Sequence, residues 1–168
     1  MSLVHSSRIL ALEHTFMAIA HTRMRDVPLQ NPALRVQAVG FGWHQDADVQ
    51  VLLGVLITPW FMNLVRLPWK SDACGIGATA VGEKVERSIG AQSFEFIRAF
   101  EDGLGPFEAC SLFSPMFEFA DQAAACATAR AVLDLLHQGA DSAARPAVVQ
   151  PSRRGFLFGR SDRAAAGA

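Results

Sequence analysis

Apolar residues along this chain follow two different periods, and the change of period predicts its secondary structure. In residues 8–25 the apolar positions recur every three or four residues, which predicts an amphipathic helix. Its stripe consists of Ile9, Leu12, Phe16, Ile19 and Ala20. Residues 122–138 repeat this period, with Asp121 as a helix N-cap and Gly139 as a helix end, so a second helix is predicted there.

Between these helices, short apolar or alternating runs separated by turn residues predict antiparallel strands. The predicted strands are 34–41, 49–58, 60–67, 80–89, 93–100 and 107–113. Pro59 separates the second from the third, and residues 101–106 carry the Gly and Pro of a hairpin turn. The order helix, strands, helix predicts an α+β fold: a two-layer sandwich of a mainly antiparallel sheet of about five strands, with both helices on one face.

The last part of the chain differs in composition from the rest. Residues 1–139 are predicted to form a single domain, and residues 140–168, rich in Ala, Ser, Pro and Arg without a period, a flexible tail. Residues 139–168 hold five arginines against two aspartates, whereas residues 83–121 hold eight acids against three bases. A basic tail and an acidic body can attract each other or bind oppositely charged partners.

Composition excludes several classes of protein. A hydrophobic content of 51% against 18% charged residues excludes disorder over most of the chain, and a net charge of −1 argues against nucleic-acid binding. The apolar run 51–65 is shorter than the roughly 20 residues of a membrane span. The three cysteines form no C-x-x-C pair, which favours a reducing compartment over a disulfide framework or a zinc ribbon. We therefore expect a cytoplasmic protein without membrane insertion.

Catalytic signals are weak. The segment His44 to Asp48 is a short polar turn between strands or, alternatively, a metal-site fragment built on His44, Asp46 and Asp48. Cys110 is a buried strand cysteine or, alternatively, a nucleophile, although no partnering base lies near it in sequence. Because the common catalytic and nucleotide-binding motifs are absent, we assign no catalytic residue, cofactor or metal.

Two segments instead suggest a binding surface. Residues 58–65 and 111–119 crowd aromatic residues and methionines around prolines that end strands. Because successive strand residues face opposite sides, part of each cluster is expected outside the core, as an apolar groove that receives a peptide. The candidate binding residues are Trp60, Phe61, Asn63, Phe113, Met116, Phe117, Glu118 and Asp121.

Four segments carry a resemblance to a known family. They are NPALRVQAVGF at 31–41, TPWFMNLV at 58–65, CSLFSPMF at 110–117 and SRRGFL at 152–157. The residues of these segments and the order of the segments along the chain resemble the HybE/HupJ family of [NiFe]-hydrogenase assembly chaperones. Because the chain lacks the C-x-x-C pairs of a fused rubredoxin, it resembles the single-domain HybE type.

The resemblance implies a cytoplasmic, non-enzymatic role and a two-layer sandwich of helices and sheet. A chaperone of this family holds the hydrogenase small-subunit precursor, which bears a twin-arginine signal peptide, and delays its export until iron–sulfur clusters and the large subunit are in place. Shielding immature clusters from oxygen is a further implied role. The large subunit and other maturation chaperones are further candidate partners; the alternative is a scaffold that contacts them without binding the signal peptide.

Physical chemistry indicates how such a signal would be held. Paired carboxylates bind guanidinium groups in bidentate geometry, and Glu118 and Asp121 lie beside the aromatic cluster. The sequence does not rank the acids of residues 83–121 for this role.

The tail resembles the expected client. Ser152, Arg153, Arg154, Phe156 and Leu157 match the start of a twin-arginine signal, although Phe158 stands where such signals usually have lysine. One interpretation is a pseudo-client that occupies the groove, because tethering gives a high effective concentration. The alternative is a solvated basic tail.

Overall fold

Two helices and one antiparallel sheet make up the fold in a computed structural model of the chain. The structure describes residues 3–46, 49–69 and 80–142. The helices in this part are α1 (Leu3–His21) and α2 (Gln122–Ser142). Its strands are β1 (Gln37–Asp46), β2 (Val49–Ile57), β3 (Met62–Pro68), β4 (Lys84–Ile89), β5 (Gln92–Glu101) and β6 (Gly105–Phe113).

The strand order brings several chain segments to one end of the sheet. The order is β1-β2-β3-β6-β5-β4, and each neighbouring pair is antiparallel. Phe113, at the end of β6, pairs with Met62, at the start of β3. Gln37, at the start of β1, pairs with Ile57, at the end of β2. The β2–β3 turn, the entry to β1 and the exit from β6 therefore lie together.

Both faces of the central strands are covered. Along β2, Leu52 and Leu56 pack in one hydrophobic cluster with Leu12 and Phe16 of α1. The alternate residues Leu53, Val55 and Ile57 pack in a second cluster, whose helical members are Ala125, Cys126, Ala129, Leu133 and Leu136 of α2. Since alternate strand residues face opposite sides, α1 and α2 cover opposite faces of the sheet.

This arrangement corrects one expectation from the sequence. The α+β class and the antiparallel sheet are confirmed, but the placement of both helices on one face is wrong. The central strands are apolar on both sides, so each face needs its own helix to exclude water. Neither helix in the described residues is long and apolar enough to cross a membrane.

Element ends also differ from the prediction. α1 runs over Leu3–His21 rather than 8–25, because turns follow it, with the amide of Met24 donating to Ile19 O at 3.0 Å. β1 continues to Asp46, since Gln45 pairs with Gln50 of β2. α2 continues through Gly139. Asp48 and the tail motif 152–157 lie outside the described residues.

A buried cluster of charges joins the four strands β3, β6, β5 and β4. Glu108 of β6 is 1% exposed and accepts hydrogen bonds from Arg66 of β3 and from Arg87 of β4. Nη2 of Arg87 is 2.7 Å from Oε1 of Glu108, and Nε of Arg98 lies 3.8 Å from the same oxygen. Arg98 also donates to Glu83 at 2.6 Å. One internal carboxylate thus connects side chains from strands far apart in sequence.

The surroundings of Glu108 set its pKa. Burial alone would raise that pKa, but the hydrogen bond from Arg87 and the charges of Arg66 and Arg87 outweigh burial and lower it below its ordinary value of 4.5. Because the pKa is lower in the folded state than in the unfolded state, Glu108 stabilises the fold above about pH 4.5. This contribution is lost as the pH falls through the folded-state pKa.

Replacing this carboxylate therefore has a predicted cost. Glu108→Gln keeps the size of the side chain but leaves the buried Arg66 without its counter-charge, and we expect the free energy of unfolding to fall by about 3 kcal/mol at pH 7. As the pH falls below about 4.5, the free energy of unfolding should decrease less steeply in the variant than in the unsubstituted protein. Urea unfolding at several pH values measures both effects.

Glu95→Gln is the matched control. Glu95 forms an exposed ion pair with Lys84 at 3.0 Å, so its loss should cost less than about 1 kcal/mol. Equal losses in the two variants would contradict a special role for the buried cluster.

Candidate functional site

The β2–β3 turn, residues 58–61, is shaped by the side chain of Thr58. Its hydroxyl oxygen accepts hydrogen bonds from the amides of Trp60, at 3.3 Å, and Phe61, at 2.9 Å. The amide of Thr58 donates to Phe61 O at 2.8 Å, which closes the turn. Thr58 is fully buried, so this local network fixes the backbone that presents Trp60 and Phe61.

The segment after β6, residues 114–119, is held by Asn31. The side-chain amide of Asn31 donates to Met116 O at 3.0 Å and to Phe119 O at 2.8 Å. Its backbone amide donates to Pro59 O at 2.8 Å, in the β2–β3 turn. Asn31 is 7% exposed, so these contacts are shielded from water.

We call residues 31, 58–61 and 114–119 the motif junction. They belong to three segments that are distant in sequence and that meet at one end of the sheet. The hydroxyl of Ser114 also donates to Trp60 O at 3.4 Å. The N-terminus of α2 lies next to the junction, where Asp121 Oδ1 accepts from the amide of Ala124 at 2.8 Å. Asp121 is therefore the N-cap that the sequence predicts.

The candidate binding residues differ in exposure. Phe117 is 55% exposed, and Glu118 and Asp121 are also on the surface. Trp60, Phe61, Asn63 and Phe113 are half-buried. Met116 is fully buried in the hydrophobic cluster that includes α2, so its side chain is not available to a peptide at the surface. The exposed apolar surface of the junction is therefore centred on Phe117.

The two aromatic clusters do not merge into one groove. The ring of Phe61 packs on Phe16 of α1, with centroids 5.7 Å apart. The ring of Phe113 packs on Phe119, with centroids 5.2 Å apart, in the hydrophobic cluster below α2. The backbones meet, but the side chains lie against opposite faces of the sheet. This separation follows from the two helices covering different faces.

The structure ranks the acids of residues 83–121, which the sequence leaves unranked. Four of the eight form ion pairs with bases of the chain itself: Glu83 with Arg98, Glu95 with Lys84, Glu101 with Arg23, and Glu108 with Arg66 and Arg87. Glu86, Asp102, Glu118 and Asp121 form no ion pair within the described residues.

Position separates these four acids further. Glu86 lies on β4 at the far edge of the sheet, and Asp102 lies in the β5–β6 turn at the opposite end from the junction. Glu118 and Asp121 remain, and the side chain of Glu118 forms no hydrogen bond or ion pair within the described residues. A carboxylate without a cation beside an exposed phenyl ring suits a ligand that carries a guanidinium and an apolar side chain.

Sequence reasoning gave no role to Asn31 and Thr58. Both are buried polar residues in short segments between regular elements, and Asn31 precedes a proline. Asn and Thr favour turns because their side chains bond nearby backbone groups, and both residues begin segments that carry the family resemblance. The long-range partners of Asn31, which are Met116 and Phe119, depend on the fold.

The alternative catalytic residues lie away from the junction or outside the described chain. Cys110 is half-buried on β6 and packs against the cluster below α2. His44 is half-buried on β1, and Asp48 lies outside the described residues. Within residues 3–46, 49–69 and 80–142, no three His, Cys, Asp or Glu side chains lie together as metal ligands would.

Removing the Asn31 amide tests its structural role. Asn31→Ala leaves the buried carbonyls of Met116 and Phe119 without this donor, so we expect the free energy of unfolding to fall by about 3 kcal/mol. Urea unfolding measures the loss.

Asn63→Ala removes the same group from β3 and serves as the control. The Oδ1 atom of Asn63 accepts no hydrogen bond within the described residues, so the expected loss is below about 1 kcal/mol. If both variants lose the same stability, the Asn31 contacts do not hold the junction.

Known proteins resemble this chain over most of its length. It is 46% identical over 159 residues to Protein HoxT of Cupriavidus necator, covering 91% of this chain and 89% of that protein. It is 40% identical over 153 residues to the hydrogenase expression/formation protein HupJ of Bradyrhizobium diazoefficiens, covering 88% and 85%. The name of this HupJ protein links it to the formation of hydrogenase.

A solved structure and a family model agree with these relatives. The solution structure of HybE from Escherichia coli matches with a TM-score of 0.55 and 22% identity, covering 93% of this chain and 91% of that one, and shows the same fold. Residues 7–159 match the model described as "[NiFe]-hydrogenase assembly, chaperone, HybE". The chain therefore belongs to the HybE family of [NiFe]-hydrogenase assembly chaperones.

Proposed function

We propose that this chaperone binds the twin-arginine signal peptide of the hydrogenase small-subunit precursor at the motif junction. In this proposal the protein works in the cytoplasm, without catalysis, and delays export until the precursor has received its iron–sulfur clusters and its large subunit. Shielding of immature clusters from oxygen belongs to the same proposal. Membership of the family of hydrogenase assembly chaperones supports it.

The observation that carries the proposal is that Phe117 and Glu118, neighbours in sequence, are both exposed at the motif junction. Phe117 is 55% exposed, although large aromatic side chains are usually buried. Glu118 follows it directly and forms no ion pair within the described residues. A signal of the type Arg-Arg-x-Phe-Leu offers the complementary groups: guanidinium for Glu118 and an apolar pair for Phe117.

The geometry of the junction suits a short peptide better than a large apolar helix. Asn31 and Thr58 fix the backbone on both sides, so the site needs little reordering when it binds. Asp121 accepts the cap hydrogen bond of α2 through Oδ1, which leaves Oδ2 for a second guanidinium. Trp60, half-buried beside Ser114, can contact the apolar flank of the peptide.

Calorimetry with a synthetic small-subunit signal peptide tests the proposal. We expect binding with a Kd of about 1 μM or tighter, on the scale of about 8 kcal/mol of binding free energy. A peptide with Lys-Lys in place of Arg-Arg should bind about tenfold more weakly, because lysine lacks the planar fork that binds a carboxylate in bidentate geometry. Glu118→Gln in the chaperone should weaken binding of the Arg-Arg peptide by a similar factor.

Matched variants make this experiment specific. Glu86→Gln removes an exposed, unpaired acid from β4 and should leave the affinity unchanged. Phe117→Ser should weaken binding, whereas Val81→Ser, which changes a residue that is 52% exposed elsewhere, should not. Binding to a precursor that lacks its signal, with no binding of the peptide, would instead establish the scaffold alternative.

A further inference from the structure

The tail of this chain carries side chains that complement those of the motif junction. Residues 152–157 read SRRGFL, with two arginines followed by phenylalanine and leucine. The family match runs from residue 7 to residue 159, so this segment belongs to the family pattern. To contact the junction, the tail must span the distance back from the end of α2.

The length of the chain after α2 matches the distance back to the junction. α2 begins at Gln122, next to Asp121, and its 21 residues advance about 30 Å along the helix axis. The 11 residues from Ala143 to Arg153 span at most about 38 Å when extended. Pro146 and Pro151 in this segment favour an extended backbone of about 3.1 Å per residue, or about 34 Å. The segment is therefore long enough for Arg153 to reach the junction if the chain returns along α2.

Charge favours the same contact. Residues 139–168 contain five arginines and two aspartates. At the junction, Glu118 and Asp121 form no ion pair within the described residues, whereas Glu83, Glu95, Glu101 and Glu108 already have basic partners. The tail is thus attracted to the same acids that we assign to the client.

We propose that residues 152–157 of the same chain occupy the motif junction when no client is bound. Arg153 and Arg154 contact Glu118 and Asp121, and Phe156 and Leu157 cover Phe117. This inference rests on the proposed function, because it takes the junction to be the client site. The tail then shields the exposed phenyl ring, and a client must displace it.

The strength of this competition follows from tethering. A short tether gives an effective concentration on the order of 1 mM. If the isolated segment binds with a Kd of about 0.1 mM, the tail occupies the site about 90% of the time and weakens client binding about tenfold. A weak intrinsic contact is therefore sufficient, and a client with micromolar affinity can still displace it.

The test uses the full chain and two tail variants. Arg153→Gln with Arg154→Gln removes the motif charges, and Arg160→Gln with Arg163→Gln removes the same number of charges outside the motif. Without a client, we expect hydrogen exchange of the amides of residues 116–121 to be several-fold faster in the first variant than in the full chain. The second variant should match the full chain. The small-subunit signal peptide should bind the first variant about tenfold more tightly.

The outcomes separate this proposal from the proposed function. Peptide binding that is equal in all three proteins, with equal exchange rates, overturns tail occupancy and leaves the proposed function standing. Faster exchange in the first variant, with no peptide binding to any of them, supports the tail contact and overturns the proposed function. Protection that grows with protein concentration would mean contact between copies and would overturn occupancy by the same chain.

Discussion

The buried side-chain amide of Asn31 is the contact on which the shape of the motif junction depends. It donates to two carbonyl groups of the segment after β6, while its backbone amide bonds to Pro59 in the β2–β3 turn. These buried hydrogen bonds favour a single arrangement, because breaking one would leave a polar group with neither a protein partner nor water to bond. Glu118 and Phe117 owe their positions to this contact.

The sheet determines where a functional surface can form. α1 and α2 each cover one face, and Glu108 is buried within the sheet, where Arg66 and Arg87 compensate its charge. Both faces of the central strands β2 and β3 are covered, so these strands can contact a partner only at their ends. The end that gathers three of the segments that carry the resemblance also presents Phe117, which is 55% exposed, beside Glu118, which forms no ion pair within the described residues. This end is where we propose that the client binds.

Most of the helices and strands could be predicted from hydrophobic periodicity, but the placement of the two helices on opposite faces of the sheet could not. The stripe of α2, its Asp121 cap and the antiparallel strands depend on local chemistry and were confirmed. The run 51–57 is apolar at nearly every position, which is typical of a strand covered on both faces, yet both helices were expected on one face. The inward direction of Glu108 was hidden for the same reason: the face opposite Phe107 is buried only because a second helix covers it. Asn31 bonds partners more than 80 residues away, which no local pattern reveals.

Mapping the signal-peptide contact on the full chain by amide chemical shifts tests the central claim most directly. On titration with the peptide, the account predicts the largest shifts at residues 58–61 and 114–121, with β4 and the β5–β6 turn unchanged. The shifts should appear with Arg-Arg in the peptide and be much weaker with Lys-Lys. Shifts centred on the acids of β4 and β5, or on the outer side of α1, would contradict the assignment of the motif junction as the client site.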